Sequence, residues 1–290
     1  MTEHIAFLGT GLMGYPMAER LLKAGYRLNI YNRTFSKAEP LAPLGAQVVG
    51  LPREAIQDAD VVILMLADAS AIREVLFPDN PISLAKKTVI QMGTIGPAES
   101  QEFHQKVTDL GGDYLECPVL GSKNEARQGT LILMVGGSPK QFIRWKNLLS
   151  CLGPQPRYIG MVGQAAALKL ALNQLIAAHA TAFSLSLGMV QSHHIPVDTF
   201  MEILRNSFLF APMFDRKLSW FLKREFVNPN FPLKHLLKDV DLFLTEADQN
   251  GLATQALEGI RQCLLRALEN GLGDKDYSSV YEVIFPNPHD

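Results

Sequence analysis

The sequence predicts an α/β protein in two parts: a doubly wound, mostly parallel sheet over residues 1–162, then an all-α domain over 163–290. Three observations carry this expectation. The apolar run Ile5-Ala6-Phe7-Leu8 ends in a glycine turn, and a helical pattern follows from Tyr15 to Gly25. Up to about residue 160, short β-rich runs alternate with helical stretches, the order that builds right-handed parallel crossovers. After Gly163 the alternation stops and the chain reads as helix.

The glycine turn comes first. Gly9, Gly11 and Gly14 fit G-x-G-x-x-G, with Leu12 and Met13 inside the motif. The first glycine permits a tight turn, the second lets a pyrophosphate approach the backbone, and the third lets helix and strand pack closely. The helix N-terminus behind them offers free N–H groups and partial positive charge. Between a strand and a helix, with a second strand at Arg27–Tyr31, this pattern predicts a Rossmann-type dinucleotide site; a glycine turn without a ligand is the alternative. A third strand is expected at Gln47–Val49, and a fourth at 60–66, apolar as a strand buried on both faces should be. The fifth is expected at 88–92 and the sixth at 112–117. The run 130–135 follows before Gly136-Gly137, and 157–159 closes the sheet. Ligands of such sheets sit at the carboxyl ends of the strands.

The second half opens with one long, mostly apolar helix at about 163–190, with breaks expected later at Pro212, at 228–232 and near Gly271 and Gly273. A helix this apolar is not solvated all round and needs another helical layer, from its own domain or from another subunit. A homo-oligomer, dimer or tetramer, built through the helical domain is therefore expected. The tail, 285–290, is expected to be loosely held.

Bulk properties narrow the function. The chain has 290 residues, 47% of them apolar and 19% charged, enough to bury a sizeable core. A formal charge of −2 gives no electrostatic reason to expect nucleic acid or an anionic membrane as partner. No apolar stretch is read as reaching the roughly 18–20 residues of a membrane span. Cys117, Cys151 and Cys263 lie far apart, which indicates neither a disulfide framework nor a metal site. His193 and His194, the one close histidine pair, read as solvated residues at a helix end rather than metal ligands. With the glycine turn already at residue 9, no leader peptide is expected, and a reducing, cytoplasmic setting fits best. There is no internal repeat and no low-complexity segment.

The candidate chemistry rests on few residues. NAD-binding versions of the motif place a carboxylate at the end of the second strand, about 20 residues past the glycines. Here that strand ends in Asn32-Arg33-Thr34. Arg33 can stack on adenine and pair with a 2′-phosphate, while Asn32 and Thr34 can hydrogen-bond to it, so NADP(H) is the expected cofactor. Otherwise Arg33 is an ordinary surface charge and either cofactor serves. A hydride delivered to a carbonyl leaves charge on oxygen, so the site needs a proton donor or a cation. Lys169 is the only charged residue between Arg157 and Asp198, and Asn173 follows it by one helical turn on the same face. A lysine on an apolar helix is costly unless paired or facing a cleft; the alternative is a stem that snorkels to water. Lys238-Asp239 alone reads as a solvated charge pair. Gly121-Ser122-Lys123-Asn124 forms a polar loop after the sixth strand, and Gly93-Thr94 stands at the carboxyl end of the fifth.

Together these blocks resemble the β-hydroxyacid dehydrogenase family over almost the whole chain. The matching blocks are Gly9, Gly11 and Gly14 with Met17-Ala18; Pro118-Val119 through Gly129-Thr130-Leu131 and Gly136-Gly137; Gly163 with Lys169 and Asn173; and Lys238-Asp239. Within the family, Asn32-Arg33-Thr34, Gly121-Ser122-Lys123 and Phe231-Pro232-Leu233-Lys234-His235 look most like the NADPH-dependent glyoxylate/succinic semialdehyde reductases. The resemblance implies reduction of short aldehyde or keto acids to hydroxy acids, with Lys169 protonating the nascent alkoxide, Asn173 holding the substrate and Asp239 supporting the site. It implies that Thr94 touches the cofactor near the nicotinamide, that Met65 and Leu66 line the cofactor cleft and that Lys238 reaches the cofactor. It further implies that Phe231 walls the substrate pocket.

Two positions depart from the family pattern. Leu120 and Gly93 stand where the family carries serines, so two hydroxyls expected near a substrate carboxylate are absent. Ser122, or backbone N–H groups of the Gly121-Ser122 turn, could replace them; otherwise the substrate is less acidic or larger. The competing readings are a 3-hydroxyisobutyrate-type dehydrogenase, an imine reductase-like enzyme, and a non-catalytic NADP-binding module. The missing acid after the second strand argues against the first. Lys169 argues against the second, though Leu120 keeps it open, and Lys169 with Asn173 argues against the third.

Overall fold

The computed structural model describes residues 3–79 and 82–286. The chain divides into two compact units, Met1–Lys169 and Leu170–Asp290. The first unit opens with β1 (His4–Leu8), α1 (Gly14–Lys23) and β2 (Arg27–Tyr31), and continues through β3 (Gln47–Val49), α2 (Pro52–Ile56) and β4 (Val61–Leu64). There follow α3 (Ala69–Leu76), β5 (Thr88–Gln91), α4 (Pro97–Asp109) and β6 (Asp113–Glu116). The unit ends with β7 (Val119–Leu120), α5 (Lys123–Gln128), β8 (Ile132–Gly136), α6 (Pro139–Ser150) and β9 (Arg157–Gly160).

The sheet order is β3-β2-β1-β4-β5-β6, every pairing parallel, which is the doubly wound arrangement the alternating pattern predicts. Beyond β6 the polarity changes. β8 runs antiparallel to β6 and to the two-residue strand β7, and β9 then pairs parallel to β8. The parallel crossovers implied by the sequence are therefore interrupted between β6 and β8 and resume once, from β8 through α6 to β9. The chain between β6 and β8 holds only β7 and the short α5, and β7 itself pairs antiparallel with β8.

The core follows from the period-two geometry of a strand. In β1, Ile5 and Phe7 face one layer with Met17, Ala18 and Leu21 of α1 and Trp145, Leu148 and Leu149 of α6. Ala6 and Leu8 face the other, with Ile72 and Leu76 of α3 and Phe103 and Val107 of α4. Both faces are covered, which is why β4 is apolar at all four positions and buried throughout.

The second unit is helical: α7 (Gln164–Ser192, whose first residues belong to the first unit), α8 (Val197–Arg205), α9 (Pro212–Lys223), α10 (Leu233–Gln249), α11 (Gln255–Glu269) and α12 (Tyr281–Ile284). Phe183 of α7 stacks on Phe214 of α9 at 4.6 Å, within a cluster that also holds Leu187, Met201, Phe221 and Tyr281. A second cluster joins Ala177 and Ala180 to Leu236, Leu237, Val240 and Leu264. Lys217 and Asp276 form a buried ion pair at 2.7 Å, and Asp276 also accepts from the N–H groups of Asn230 and Ser278.

Two expectations need correction. With 29 residues and a mean hydropathy of 1.3, α7 is long and apolar enough to cross a membrane by length and composition, contrary to the reading that no stretch reaches that size. Its buried positions, Ala177, Ala180, Phe183 and Leu187 among them, pack instead against helices of the second unit. The tail is also partly fixed. Arg224 Nη2 donates to the Phe285 carbonyl at 2.8 Å, and the Phe285 ring lies 5.8 Å from that of Tyr281. Residues 287–290 of the tail lie outside the described residues.

Candidate active site

The glycine turn of the first unit sits among strand ends. Gly9 leaves β1 with φ of +102°, a left-handed conformation that glycine adopts without strain, and donates its N–H to Tyr31 O at 2.9 Å. A Cβ on Gly9 would collide with the Met65 carbonyl, and one on Gly14 would collide with the Gly9 carbonyl. Gly11 is different: a Cβ there would meet nothing within 4 Å. Gly9 and Gly14 serve internal packing, whereas the space beside Gly11 is open, as the expected approach of a pyrophosphate requires. Leu12 is exposed and Met13 half-buried beside it. No side chain caps the N-terminus of α1; the Tyr15 N–H bonds back to the Gly11 carbonyl and Pro16 has no N–H, so the N–H groups of Met13 and Gly14 are the ones placed to serve an anion. The residues present therefore fit a dinucleotide.

Asn32 is committed to the loop. Its Oδ1 accepts from Thr10 N–H at 2.9 Å, and its Nδ2 donates to Thr34 O at 2.8 Å. It thus clasps the glycine turn to the end of β2. Arg33 and Thr34 next to it are exposed. The sequence reading passed over Thr10, whose Oγ1 is buried without a hydrogen-bond partner inside the glycine turn. The only signal was its place between the first two glycines.

Met65 and Leu66 follow β4, both half-buried, and half-buried Thr94 follows β5. Gly93 explains one of the missing serines. A Cβ at this position would lie 2.5 Å from the Leu66 carbonyl oxygen. The backbone here is also held by Gln91, whose Oε1 accepts from Gly93 N–H at 2.5 Å and whose Nε2 donates to Gly93 O at 3.1 Å. Ser122 is likewise engaged. It is the N-cap of α5, where its hydroxyl and its N–H both donate to Glu125 Oε2, the N–H at 2.8 Å. Gly121 precedes it, exposed.

Lys169 lies in the second turn of α7 and is only 7% exposed. Asn173, one turn further and 2% exposed, belongs to the second unit. There its Nδ2 donates to Asp239 Oδ2 of α10 at 2.6 Å. Because a carboxylate only accepts, this bond fixes the orientation of the amide and leaves Asn173 Oδ1 buried without a partner. Lys238 Nζ stands 2.8 Å from the other Asp239 oxygen, as an ion pair rather than a directed hydrogen bond. The pair that reads as solvated in the sequence thus has its acid at 2% exposure, joined to Asn173. His235, one turn before Asp239, has its pKa pushed below the ordinary value, first by burial and then by the charges of Lys238 and Lys234, against the opposing pull of Asp239 and Asp274. Phe231 is half-buried, with its ring 6.0 Å from that of Tyr277. A groove of about 880 Å³ elsewhere in this unit, lined in part by Arg224, Arg266, Glu269 and Lys275, holds none of the candidate site residues.

Comparison with known proteins agrees with this architecture. A family described as the NAD binding domain of 6-phosphogluconate dehydrogenase matches residues 4–163. A second, described as NAD-binding of NADP-dependent 3-hydroxyisobutyrate dehydrogenase, matches 163–284. Glyoxylate/succinic semialdehyde reductase 1 of Arabidopsis thaliana is 33% identical, covering 97% of this chain and 98% of its own. The 2-hydroxy-3-oxopropionate reductase of Escherichia coli K12 is 31% identical, covering 97% and 96%. Among solved structures, the Mycobacterium tuberculosis 3-hydroxyisobutyrate dehydrogenase with L-serine superposes with a TM-score of 0.86 at 22% identity, covering 98% of this chain and 99% of its own. Sequence matches spanning both units, on a sheet whose glycine turn is open for a dinucleotide, lead to one conclusion: the chain belongs to the β-hydroxyacid dehydrogenase family, oxidoreductases that use a nicotinamide dinucleotide, NAD(P).

Proposed function

We propose that this protein is an NADPH-dependent reductase of short aldehyde and keto acids, with Lys169 as proton donor. The observation that carries the reading is the burial of Lys169 at 7% exposure on an otherwise uncharged helix, one turn from Asn173. A buried ammonium group is a cost to the fold unless a partner offsets it, and a lysine kept at that position on an apolar helix is what a proton donor requires. The relatives named above act on glyoxylate, succinic semialdehyde and 2-hydroxy-3-oxopropionate by their names, all aldehydes that carry a carboxylate.

When bound, NADPH supplies a hydride to the carbonyl carbon. Lys169 then gives its proton to the oxygen, which takes up the electron pair of the broken C=O π bond. Asn173, held by Asp239, presents a fixed amide whose free Oδ1 can accept from a substrate hydroxyl or from an ammonium group. Arg33 supports the choice of NADPH through its exposed guanidinium at the end of β2.

One observation favours a second reading, in which the substrate is uncharged. Gly93 and Leu120 lack hydroxyls, and Ser122 gives both of its donors to Glu125. The test is NADPH consumption with glyoxylate, succinic semialdehyde, 2-hydroxy-3-oxopropionate and a series of uncharged aldehydes and imines, each repeated with NADH. Turnover of the acids with NADPH supports the proposal. Turnover of uncharged compounds alone replaces it with the second reading, and turnover of none sinks both.

A further inference from the structure

Glu116 is a buried carboxylate, 1% exposed, at the end of β6. A charge so placed is costly unless its oxygens are fully hydrogen-bonded. Its Oε1 accepts from three backbone N–H groups, those of Gly163 at 2.9 Å, Ala165 at 2.8 Å and Ala166 at 3.2 Å. These donors belong to the entry and first turn of α7, where N–H groups have no partner within the helix. The negative charge also complements the positive end of the helix dipole. Gln164 cannot take this place, because its Oε1 already accepts from Met161 N–H at 2.7 Å.

The carboxylate is supported from behind. Its Oε2 accepts from the hydroxyl of Ser100 on α4, whose oxygen lies 3.0 Å from that of Tyr114. Since the Ser100 proton goes to the carboxylate, the Tyr114 O–H donates to Ser100. Burial, joined by the Glu116 charge and opposed by the Ser100 bond, raises the Tyr114 pKa, so the phenol keeps the proton it donates. Room is reserved as well, since a Cβ on Gly136 would collide with the Glu116 carboxylate. The result is a relay from α4 and β6 to the start of α7, and Lys169 stands one turn after Ala165 on that helix.

We propose that Glu116 is a positioning residue for the reaction: it fixes the first turn of α7 and so sets where Lys169 presents its ammonium group. The proposal rests on the reading of Lys169 as proton donor. A misplacement of about 1 Å at a reacting group can cost ~10²-fold in rate, so a small tilt of this turn is read out in catalysis.

The test is a double-mutant cycle on the full chain. Glu116→Gln keeps the shape and one acceptor oxygen, but removes the charge and places an amide nitrogen that cannot accept from Ser100. Single-turnover hydride transfer is measured, with whichever carbonyl of the panel above turns over, for this variant, for Lys169→Ala and for the two combined. NADPH affinity by fluorescence titration and the melting temperature are taken alongside. Glu116→Gln is expected to slow transfer about tenfold, to leave NADPH affinity within about twofold, and to add no further loss to Lys169→Ala. The same loss in both backgrounds, or none in the wild-type background, overturns the positioning role. A Lys169→Ala variant of undiminished rate overturns the proton-donor reading itself, and this role with it. Should Glu116→Gln fail to fold, Ser100→Ala keeps the carboxylate and its three backbone donors and removes the bond to Oε2 together with the Tyr114 bond behind it. Its expected loss of about two- to threefold should again vanish beside Lys169→Ala, and a loss that persists there overturns the proposal.

Discussion

Arg33 is exposed at the end of β2 and forms no ion pair among the described residues. Its neighbour Asn32 spends its amide on Thr10 and Thr34, which leaves Arg33 as the main group able to read a 2′-phosphate. Arg33→Ala is expected to raise the KM for NADPH about tenfold and to leave that for NADH unchanged, the worth of one charge-assisted contact at an exposed site. Steady-state titration with both cofactors checks it, and an unchanged NADPH-to-NADH ratio refutes the assignment. Gly93 gives a second residue-scale expectation. Restoring the family serine by Gly93→Ser pushes a Cβ to 2.5 Å from the Leu66 carbonyl, an overpacking that should cost about 1–3 kcal/mol in urea unfolding. A variant as stable as the wild type would show that the backbone yields freely. The sequence pointed to the glycines and to Lys169 because backbone crowding and an isolated charge leave marks in composition. It did not show that Asn32 is a clasp or that Asp239 is buried, because their partners Thr10 and Asn173 are brought to them only by the fold; the Ser122 cap, by contrast, is a local S-x-x-E pattern with Glu125.

At the scale of the element, β2 and β3 were legible to the residue, since β-rich runs bounded by turns leave little choice of ends. The reversed direction of β8 was not legible: an apolar run buried on both faces reads alike in either direction, and a two-residue strand such as β7 carries no periodicity. Helix α10 hides a further property in His235. Burial and the lysines at 234 and 238 hold its pKa in the folded chain below the ordinary 6.5. The unfolded chain therefore binds the proton more readily, so the stabilising contribution is complete above about pH 6.5 and is lost as pH falls from there toward the folded value. The urea midpoint should drop between about pH 7.5 and about pH 5.5, and His235→Gln should flatten that part of the slope. A slope unchanged in the variant would assign the acid sensitivity to other groups.

At the scale of the whole molecule, α7 carries more apolar surface than its own unit covers. Leu175, Leu185 and Met189 are 44%, 60% and 61% exposed. With Ala171, Ala178 and Ala182 they recur at alternating steps of four and three, the repeat of a coiled-coil seam. The seam is nearly symmetric about Ala180. Two copies crossing there antiparallel would set Ala178 against Ala182 and Leu175 against Leu185, small residues meeting small at the centre and leucines flanking them. That self-complementarity is what an isologous dimer needs, and we propose a second copy of this chain as the occupant of the seam. The substitutions that test it are Leu185→Glu with Met189→Glu, both at exposed positions where charge costs the isolated chain little. Light scattering after size exclusion should give a mass of at least twice 32.0 kDa for the wild type, and a monomer for the double variant with its helix content unchanged by circular dichroism. A wild-type monomer, or an oligomer indifferent to two glutamates on the seam, would mean that α7 keeps this surface for something other than self-association.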